Sequence, residues 1–220
     1  MLEFTITGEV GGLQINAAGS VGGGQCLAVT GPSGCGKTSL LRMLAGLNRP
    51  SGGRINLAGG AAPWFDAETG AEVRTEDRGI GFVFQDINLF PRMTVLRNLR
   101  ASPERAADLL EAVGLSDQSN SRPAALSGGE AQRAAIARAL AQMPDVLLLD
   151  EPFSALDDQT AAQCIELVRL QAAANAIPTV MVAHDFRTAE AMGCESALRM
   201  GITGIATMVP LAEAFTAPSH

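Results

Sequence analysis

The sequence lacks clusters of cationic side chains. Its 220 residues include 16 Lys and Arg against 23 Asp and Glu, which gives a formal net charge of −7. Because proteins bind nucleic-acid backbones through clustered Lys and Arg, this composition predicts no nucleic-acid partner, but it does not exclude a local site for small anions. The hydrophobic share of 47% suffices for one core, and we expect a single domain over residues 1–220.

A membrane span, a secretion leader and paired cysteines are also missing. Residues 10–36 carry no charge, but they are rich in Gly and include Gln14, Asn16 and Gln25, which favour strands and turns over a place in hydrocarbon. The first ten residues contain neither a basic stretch nor an apolar run. The scattered cysteines favour free thiols in a reducing compartment: Cys26, Cys35, Cys164 and Cys194. We therefore expect a cytoplasmic protein.

Hydrophobic periodicity predicts an α/β fold. Apolar residues alternate over residues 2–15, as in short strands. Continuously apolar runs at 26–30, 146–150 and 179–184 are typical of parallel strands covered on both faces. The segment 94–143 is rich in Ala, Leu, Arg and Glu and predicts an inserted helical lobe. We expect a doubly wound sheet, with a core and β subdomain at about 1–85 and 144–220 and a helical subdomain at about 86–143.

A glycine-rich segment follows the first buried strand. It comprises Gly31, Pro32, Ser33, Gly34, Cys35, Gly36, Lys37 and Thr38, with Ser39 next. In such a loop, backbone N–H groups turn toward a phosphate at a helix N-terminus, where the dipole also favours an anion. Lys37 would neutralise the β- and γ-phosphates, and the Thr38 hydroxyl would hold Mg²⁺. Because a strand and a helix pattern flank the segment, we favour nucleotide binding over an ordinary glycine turn.

Two carboxylates end the second apolar run. Asp150 and Glu151 follow Val146–Leu149, and the carboxyl ends of central strands are where open α/β sheets bind ligands. Asp150 is placed to hold Mg²⁺ through water, and Glu151 to deprotonate an attacking water. The alternative is that both cap the next turn.

A second candidate anion site lies at residues 126–130, Leu-Ser-Gly-Gly-Glu. Ser127 and Glu130 form a capping box, which is the plain structural explanation. A cap does not call for Gly128 and Gly129, however, whereas close approach of a phosphate does. Since one chain has no evident second phosphate, we expect this turn to meet the nucleotide of another copy.

These motifs and their order resemble those of ATP-binding-cassette ATPases over essentially the full chain. The resemblance implies a P-loop, RecA-like core with an N-terminal antiparallel β subdomain and an inserted α-helical subdomain, and it implies ATP and Mg²⁺ as ligands. By the same resemblance, Ser127, Gly128 and Gly129 contact the γ-phosphate bound by a partner subunit in a head-to-tail homodimer.

Three further residues receive roles from the resemblance. Gln85 senses the γ-phosphate, Mg²⁺ and water, and links to the membrane partner. Asp157, in Ser-Ala-Leu-Asp at 154–157, couples the two sites. His184, at the end of a predicted strand, bonds the γ-phosphate and positions Glu151 or the water, although a lone His is more often a surface or core residue. His220 is expected to do nothing.

Local patterns favour an importer. Residues 81–99 resemble the permease-contacting part of bacterial importers, and with Trp64, Asp66 and 78–81 they are most similar to molybdate-type oxyanion importers. We expect a transmembrane permease, a solute-binding protein and a place on the inner face of the membrane. The C-terminal regulatory β-barrel of many such importers is not expected. Importers of other solutes, such as thiamine, and non-transport cassette ATPases remain alternatives.

The chain departs from the family pattern at two places. No aromatic residue lies between residues 5 and 63 to stack on adenine, so Leu13 or Ile15 would replace it, while Trp64 is expected to be a core or exposed-strand residue. Residues 195–204 lack a clear strand-turn pattern. Cys35 is expected to be a reactive thiolate whose alkylation slows hydrolysis.

Overall fold

The computed structural model describes residues 1–60 and 62–216, so His220 lies outside the described residues. Its strands are β1 (Leu2–Val10), β2 (Leu13–Val21), β3 (Cys26–Thr30), β4 (Gly52–Leu57), β5 (Phe65–Asp66), β6 (Ala71–Glu72), β7 (Ile80–Val83), β8 (Val146–Asp150), β9 (Thr179–Val182), β10 (Cys194–Met200) and β11 (Ala206–Pro210). Its α-helices are α1 (Lys37–Ala45), α2 (Val95–Leu99), α3 (Pro103–Ala112), α4 (Gly128–Ala141), α5 (Asp158–Ala174), α6 (Phe186–Ala191) and α7 (Leu211–Ala214).

The central sheet has the strand order β11-β10-β3-β9-β8-β7, with parallel pairing from β10 to β7. Every residue of β3, β8 and β9 is buried, as their continuous apolar runs predict. Parallel pairing brings the carboxyl ends of these strands to one edge of the sheet. The phosphate-loop segment after β3, Gln85 after β7 and Glu151 after β8 therefore emerge together.

The N-terminal strands build a separate antiparallel sheet in the order β2-β1-β4-β5-β6. Along β1, Leu2, Phe4 and Ile6 are buried while the residues between them are exposed. The same core cluster contains Leu40 and Leu44 of α1, so this sheet and the central sheet enclose α1. The alternating pattern over residues 2–15 thus predicted β1 and β2 correctly, whereas β5 and β6 were not predicted.

Helices α2, α3 and α4 lie in the chain between β7 and β8, the segment predicted as a helical lobe. Two arginines connect α3 and α4 at opposite ends. Arg105 donates to the carbonyls of Leu140 and Ala141 at 2.9 Å each, and Arg133 donates to the carbonyl of Val113 at 2.6 Å. Because each arginine bonds to the end of the other helix, the two helices are antiparallel and held at both ends.

A buried arginine connects α1 to the small strands. Arg78 is 2% exposed and donates to the Leu44 carbonyl at 2.8 Å and to the Trp64 carbonyl at 3.2 Å. Burial lowers the pKa of Arg78. Gly46 ends α1 with φ 78°, and a β-carbon there would lie 2.6 Å from the Arg78 guanidinium carbon, so this contact requires glycine. Trp64 is 6% exposed, which confirms its interpretation as a core residue.

The C-terminal part corrects one expectation. Residues 194–210 form a strand, a turn and a strand: β10 pairs with β3, and β11 pairs with β10 in antiparallel register. The sequence pattern was unclear because burial along β10 does not alternate, with the neighbours Ala197 and Leu198 both buried, while Gly204 at φ 78° makes the turn. His184 lies beyond the end of β9 rather than in it. Within the described residues, no helix has the length and apolarity needed to cross a membrane.

Candidate functional site

The glycine-rich segment forms a loop that wraps around a lysine. Gly31, Gly34 and Gly36 have φ values of 146°, 79° and 98°, which are costly for residues with a β-carbon. Lys37 begins α1 and is 7% exposed. Its Nζ donates to the carbonyls of Gly31 at 2.9 Å and Pro32 at 3.0 Å, so the loop's concave side is cationic. This geometry suits a phosphate group.

Asp150 and Thr38 lie side by side beneath this loop. Asp150 is 2% exposed, and burial raises the pKa of its carboxyl, while a hydrogen bond with Thr38 opposes the rise. Within the described residues its Oδ1 has no hydrogen-bond partner. A buried carboxylate oxygen beside a hydroxyl is the donor set that Mg²⁺ takes when substrate phosphates and water supply the other ligands. The residues therefore fit Mg²⁺.

Glu151 occupies the centre of the edge of the sheet. Its Oε1 lies 2.5 Å from His184 Nε2, and its Oε2 accepts from Gln85 Nε2 at 3.5 Å. The Glu151 side chain is 17% exposed and His184 is 51% exposed. Glu151 also has a φ of 53°, a region that residues other than glycine seldom adopt. Three residues predicted to be catalytic, from the ends of three strands, are thus brought together.

A cavity of about 370 Å³ joins the loop to this carboxylate. Its lining residues are Val10, Gly11, Leu13, Ser33, Gly34, Gly36, Lys37, Thr38, Ser39, Gln85 and Glu151. Of the two residues expected to replace an aromatic, Leu13 lines the cavity, whereas Ile15 is 1% exposed and belongs to the core. Val10 and Gly11 were not predicted. Their only signal is that they share a hairpin with Leu13.

The Ser127 turn stands outside this cavity. Ser127 caps α4 and forms the predicted box: its N–H and its hydroxyl donate to Glu130 Oε2 at 2.8 and 2.7 Å. These hydrogen bonds lower the pKa of Glu130. Ser127 and Gly128 are exposed, and neither they nor Gly129 are among the described residues that line the cavity. One copy of the chain therefore does not bring the two candidate anion sites together.

Asp157 serves as a helix cap in this chain. Its Oδ1 accepts from the Thr160 N–H at 3.0 Å, and its Oδ2 accepts from the Thr160 hydroxyl at 2.7 Å. The backbone hydrogen bond from Thr160 is the main cause of the lowered pKa of Asp157. The carboxylate is exposed and near the start of α5, so a coupling role between two copies stays a prediction.

The structure corrects the expectation for Cys35. The residue is 1% exposed and packs in the same core cluster as the residues around α1. The sequence argument placed the thiol beside Lys37 and a helix N-terminus, but it could not show that the side chain points inward. Because reagents cannot reach the sulfur in the folded chain, Cys35 is a small core residue rather than a reactive thiolate.

The sequence of residues 16–154 matches the family described as ABC transporter. The chain is 36% identical, over 99% of its length and 62% of the relative's, to the molybdenum import ATP-binding protein ModC of Mycobacterium tuberculosis. It is 39% identical to a probable amino-acid ABC transporter ATP-binding protein of Sinorhizobium fredii, over 76% of this chain and 72% of the relative. It is 45% identical to a Fe(3+) ions import ATP-binding protein of Rhodococcus jostii, over 76% of this chain and 49% of the relative.

Solved structures agree with the sequence matches. The dimeric structure of a bacterial ABC transporter cassette aligns with a TM-score of 0.78 and 28% identity, over 96% of this chain and 99% of that one. A dimeric post-hydrolysis state of a cassette bound to ADP and phosphate aligns with a TM-score of 0.80 and 27% identity over the same shares. The chain therefore belongs to the ABC transporter family and has the fold of its ATPase cassettes, as its motifs indicated.

Proposed function

We propose that the chain is the ATP-hydrolysing subunit of an importer and that it acts as a head-to-tail homodimer. The observation that carries this proposal is the position of Glu151, whose two carboxylate oxygens contact His184 and Gln85 at the mouth of the cavity. A carboxylate oriented from both sides, beside a phosphate loop, is suited to activate a water molecule for attack on a γ-phosphate.

ATP binding uses the loop after β3. The backbone N–H groups of Gly34 and Gly36 and the Lys37 ammonium bind the β- and γ-phosphates, with Lys37 exchanging the Gly31 and Pro32 carbonyls for phosphate oxygens. Thr38 and Asp150 would hold Mg²⁺, and the ion would offset negative charge on the phosphates. Leu13 and Val10 give the adenine an aliphatic contact in place of a stacked ring.

Hydrolysis then depends on Glu151 as the base. Glu151 accepts the proton of the attacking water, while Gln85 and His184 fix the direction of its carboxylate. His184 is half exposed next to Glu151, and the resemblance to cassette ATPases assigns it a second role as a donor to the γ-phosphate.

The dimer completes the site. The exposed N-terminus of α4 lies outside the chain's own cavity and presents the backbone N–H groups of its first turn, while the Ser127 hydroxyl would exchange Glu130 for a phosphate oxygen. Gly128 has open space around its α-carbon, which permits a phosphate to approach closely. Placed on the partner's nucleotide, this turn would give each of the two sites residues from both subunits.

A groove beside Gln85 is suited to the permease. It has a volume of about 420 Å³ and is lined by Ile80, Gly81, Phe82, Phe84, Asn88, Phe90, Arg100, Arg138, Ala139 and Gln142. The rings of Phe82 and Phe84 stack with centroids 4.0 Å apart, and the Arg138 guanidinium lies 5.8 Å from the Phe90 ring centre. Phe90 is 43% exposed. An amphipathic cytoplasmic segment of the permease would cover these aromatic rings.

Asn98 fixes the conformation of the loop that forms part of this groove. It is fully buried, accepts from the Phe90 N–H at 2.7 Å and donates to the carbonyls of Phe90 and Thr94 at 3.2 and 2.9 Å. The loop that carries Phe90 and the exposed Met93 is therefore fixed from beneath. A preorganised apolar surface next to Gln85 supports the transfer of force from the nucleotide site to a membrane partner.

The cargo is an oxyanion such as molybdate. The molybdenum import ATP-binding protein ModC is 36% identical over 99% of this chain, which supports this cargo. Relatives named for sulfate or thiosulfate, Fe(3+) and amino acids keep other small solutes as alternatives, to be decided by transport. In this proposal a solute-binding protein delivers the cargo, and the chain lies on the cytoplasmic face of the membrane, attached to its permease.

The experiment replaces Glu151 with Gln. The variant should bind ATP normally, lose about 100-fold or more in kcat and accumulate as an ATP-bound dimer, measured by phosphate release and light scattering. Glu195→Gln, at an exposed position away from the cavity, is the matched control. The proposal would be contradicted if Glu151→Gln hydrolysed ATP at the wild-type rate. It would also be contradicted if replacing Ser127 left the rate of hydrolysis unchanged.

A further inference from the structure

Gln132 is a buried polar side chain in α4 with one specific partner. It is 2% exposed, and its Nε2 donates to the carbonyl of Pro152 at 2.7 Å. Pro152 is the residue directly after Glu151 and is itself buried. An amide group inside an apolar core is costly unless it is hydrogen-bonded, so this bond fixes the Gln132 side chain and the Pro152 peptide together.

The backbone conformation at Glu151 is unfavourable unless neighbouring groups hold it. Glu151 has φ 53°, and such a conformation persists in a residue with a β-carbon only when its surroundings hold it. The Ser154 hydroxyl donates to the Glu151 carbonyl at 3.1 Å, and Gln132 holds the next carbonyl along the chain. Two consecutive carbonyls beside the proposed base are thus held by side chains, one of them from a different element.

That element is the helix that Ser127 caps. Gln132 lies five residues after Ser127 on α4, which is about 7.5 Å along the helix axis. The same helix also touches the chain after Pro152 at its first turn: a β-carbon on Gly129 would lie 3.4 Å from the Ala155 carbonyl oxygen. The start of α4 therefore contacts the segment 152–155 at two points.

We propose that Gln132 is a positioning residue that ties the orientation of Glu151 to the start of α4. This inference rests on the proposed function, in which Ser127 binds the nucleotide of the partner subunit. A shift of α4 when Ser127 engages that nucleotide then reaches the subunit's own Glu151 through the Pro152 carbonyl. In this way each site would register the occupancy of the other, with the Gln132 side chain as the link to Glu151.

The test replaces Gln132 with Met, which has similar length and no hydrogen-bond donor. The expected result is a fall in kcat of about tenfold or more, because small misplacements of a catalytic group have large effects on rate. The KM for ATP should stay within about twofold, since the phosphate loop is untouched. In a Glu151→Gln background, the ATP-bound dimer should still form. Gln163→Met, at an exposed position on α5, is the matched control.

A second variant guards against a folding defect. Gln132→Glu keeps the shape but places an acceptor against the Pro152 carbonyl, and it should lose kcat in the same way. An unchanged kcat in a folded variant would overturn the proposal, as would a joint loss of ATP binding, dimer formation and kcat. If neither variant folds, Gln132 is a structural residue only and the proposal is wrong.

Ser127→Ala separates this inference from the proposed function and tests the link itself. If hydrolysis is insensitive to Ser127→Ala, the shared-site function fails whatever Gln132 does. If Ser127→Ala impairs hydrolysis and Gln132→Met does not, only the present inference fails. In single-turnover assays, the fold-loss caused by Gln132→Met should be smaller in the Ser127→Ala background than in the wild type, and equal losses would contradict the link.

Discussion

His184 Nε2 lies 2.5 Å from Glu151 Oε1, which is the shortest of the contacts that orient the proposed base. His184 comes from the segment after β9 and Glu151 from the end of β8, two neighbouring parallel strands. The contact is therefore a consequence of strand order, and it places a group able to carry a proton beside the carboxylate.

Replacing His184 with Ala should slow hydrolysis without weakening ATP binding. Glu151 would lose one of its two orienting partners and the γ-phosphate would lose a donor, so we expect a fall in kcat of about 100-fold. Phosphate release and equilibrium binding of a fluorescent ATP analogue measure the two quantities. His184→Gln, which retains a donor, should lose less. Equal activity of His184→Ala and the wild type would exclude the role.

Lys37 is the only lysine in the sequence, and this permits a direct test of the phosphate loop. Reductive methylation with ¹³C-formaldehyde labels lysine amines and the N-terminal amine, so one side-chain resonance reports on Lys37. MgATP should shift that resonance, because the ammonium exchanges the carbonyls of Gly31 and Pro32 for phosphate oxygens. The N-terminal resonance is the internal control. A Lys37 signal that is unchanged at saturating ATP would contradict the assignment.

Asp150→Asn should stabilise the nucleotide-free protein. It should also remove the dependence of nucleotide binding on Mg²⁺. Burial raises the pKa of Asp150, so the folded chain binds this proton more tightly than the unfolded chain does. Stability linked to this group therefore falls as pH rises above the ordinary Asp pKa. Removing the charge should add about 1 kcal/mol to the free energy of unfolding, or about 2–4 °C in Tm.

Thermal unfolding with and without nucleotide checks this prediction. MgADP should raise the Tm of the wild type more than that of Asp150→Asn, because the variant lacks the carboxylate that we propose holds the metal. The stabilisation of the nucleotide-free variant should shrink as pH falls toward the Asp range, where the wild-type carboxyl also becomes neutral. If Asp150→Asn has a lower Tm than the wild type at neutral pH, the prediction is wrong, because the surroundings of Asp150 then compensate its charge.

Leu13→Tyr should strengthen nucleotide binding and sharpen its base selectivity. Leu13 lines the cavity next to the phosphate loop, so a ring there can stack on adenine. A stacked pair contributes about 0.5–1.5 kcal/mol, which corresponds to about a twofold to tenfold lower Kd for ATP. Competition between ATP and inosine triphosphate measures selectivity. Ile15→Tyr is the contrasting variant: its side chain is in the core, so it should destabilise the fold instead.

Local sequence was sufficient for the parts of the site that lie on one segment. The phosphate loop, the two carboxylates at the end of β8 and the capping box at Ser127 each depend on residues within a few positions of one another. Backbone geometry at such short range follows from glycine, from helix capping and from the end of a buried strand. These predictions agree with the geometry of the structure.

Contacts between distant segments could not be predicted from the sequence. The hydrogen bond from Gln132 to Pro152 spans 20 residues, and the buried Arg78 reaches Leu44 over 34. A single polar residue on the apolar face of a helix indicates a buried hydrogen bond, but it does not identify the partner. The inward direction of Cys35 was missed for the same reason, because side-chain direction depends on what packs against the loop.

The motifs and their order along the chain were enough to identify a nucleotide-binding cassette, since each motif encodes its own local backbone. How the motifs meet depends on the folded chain. The pairing of β7, β8 and β9 brings Gln85, Glu151 and His184 to one edge of the sheet, and α4 carries Ser127 to a separate surface. The physical reason is that strand order and helix packing are set by the burial of the whole core, which no short segment contains.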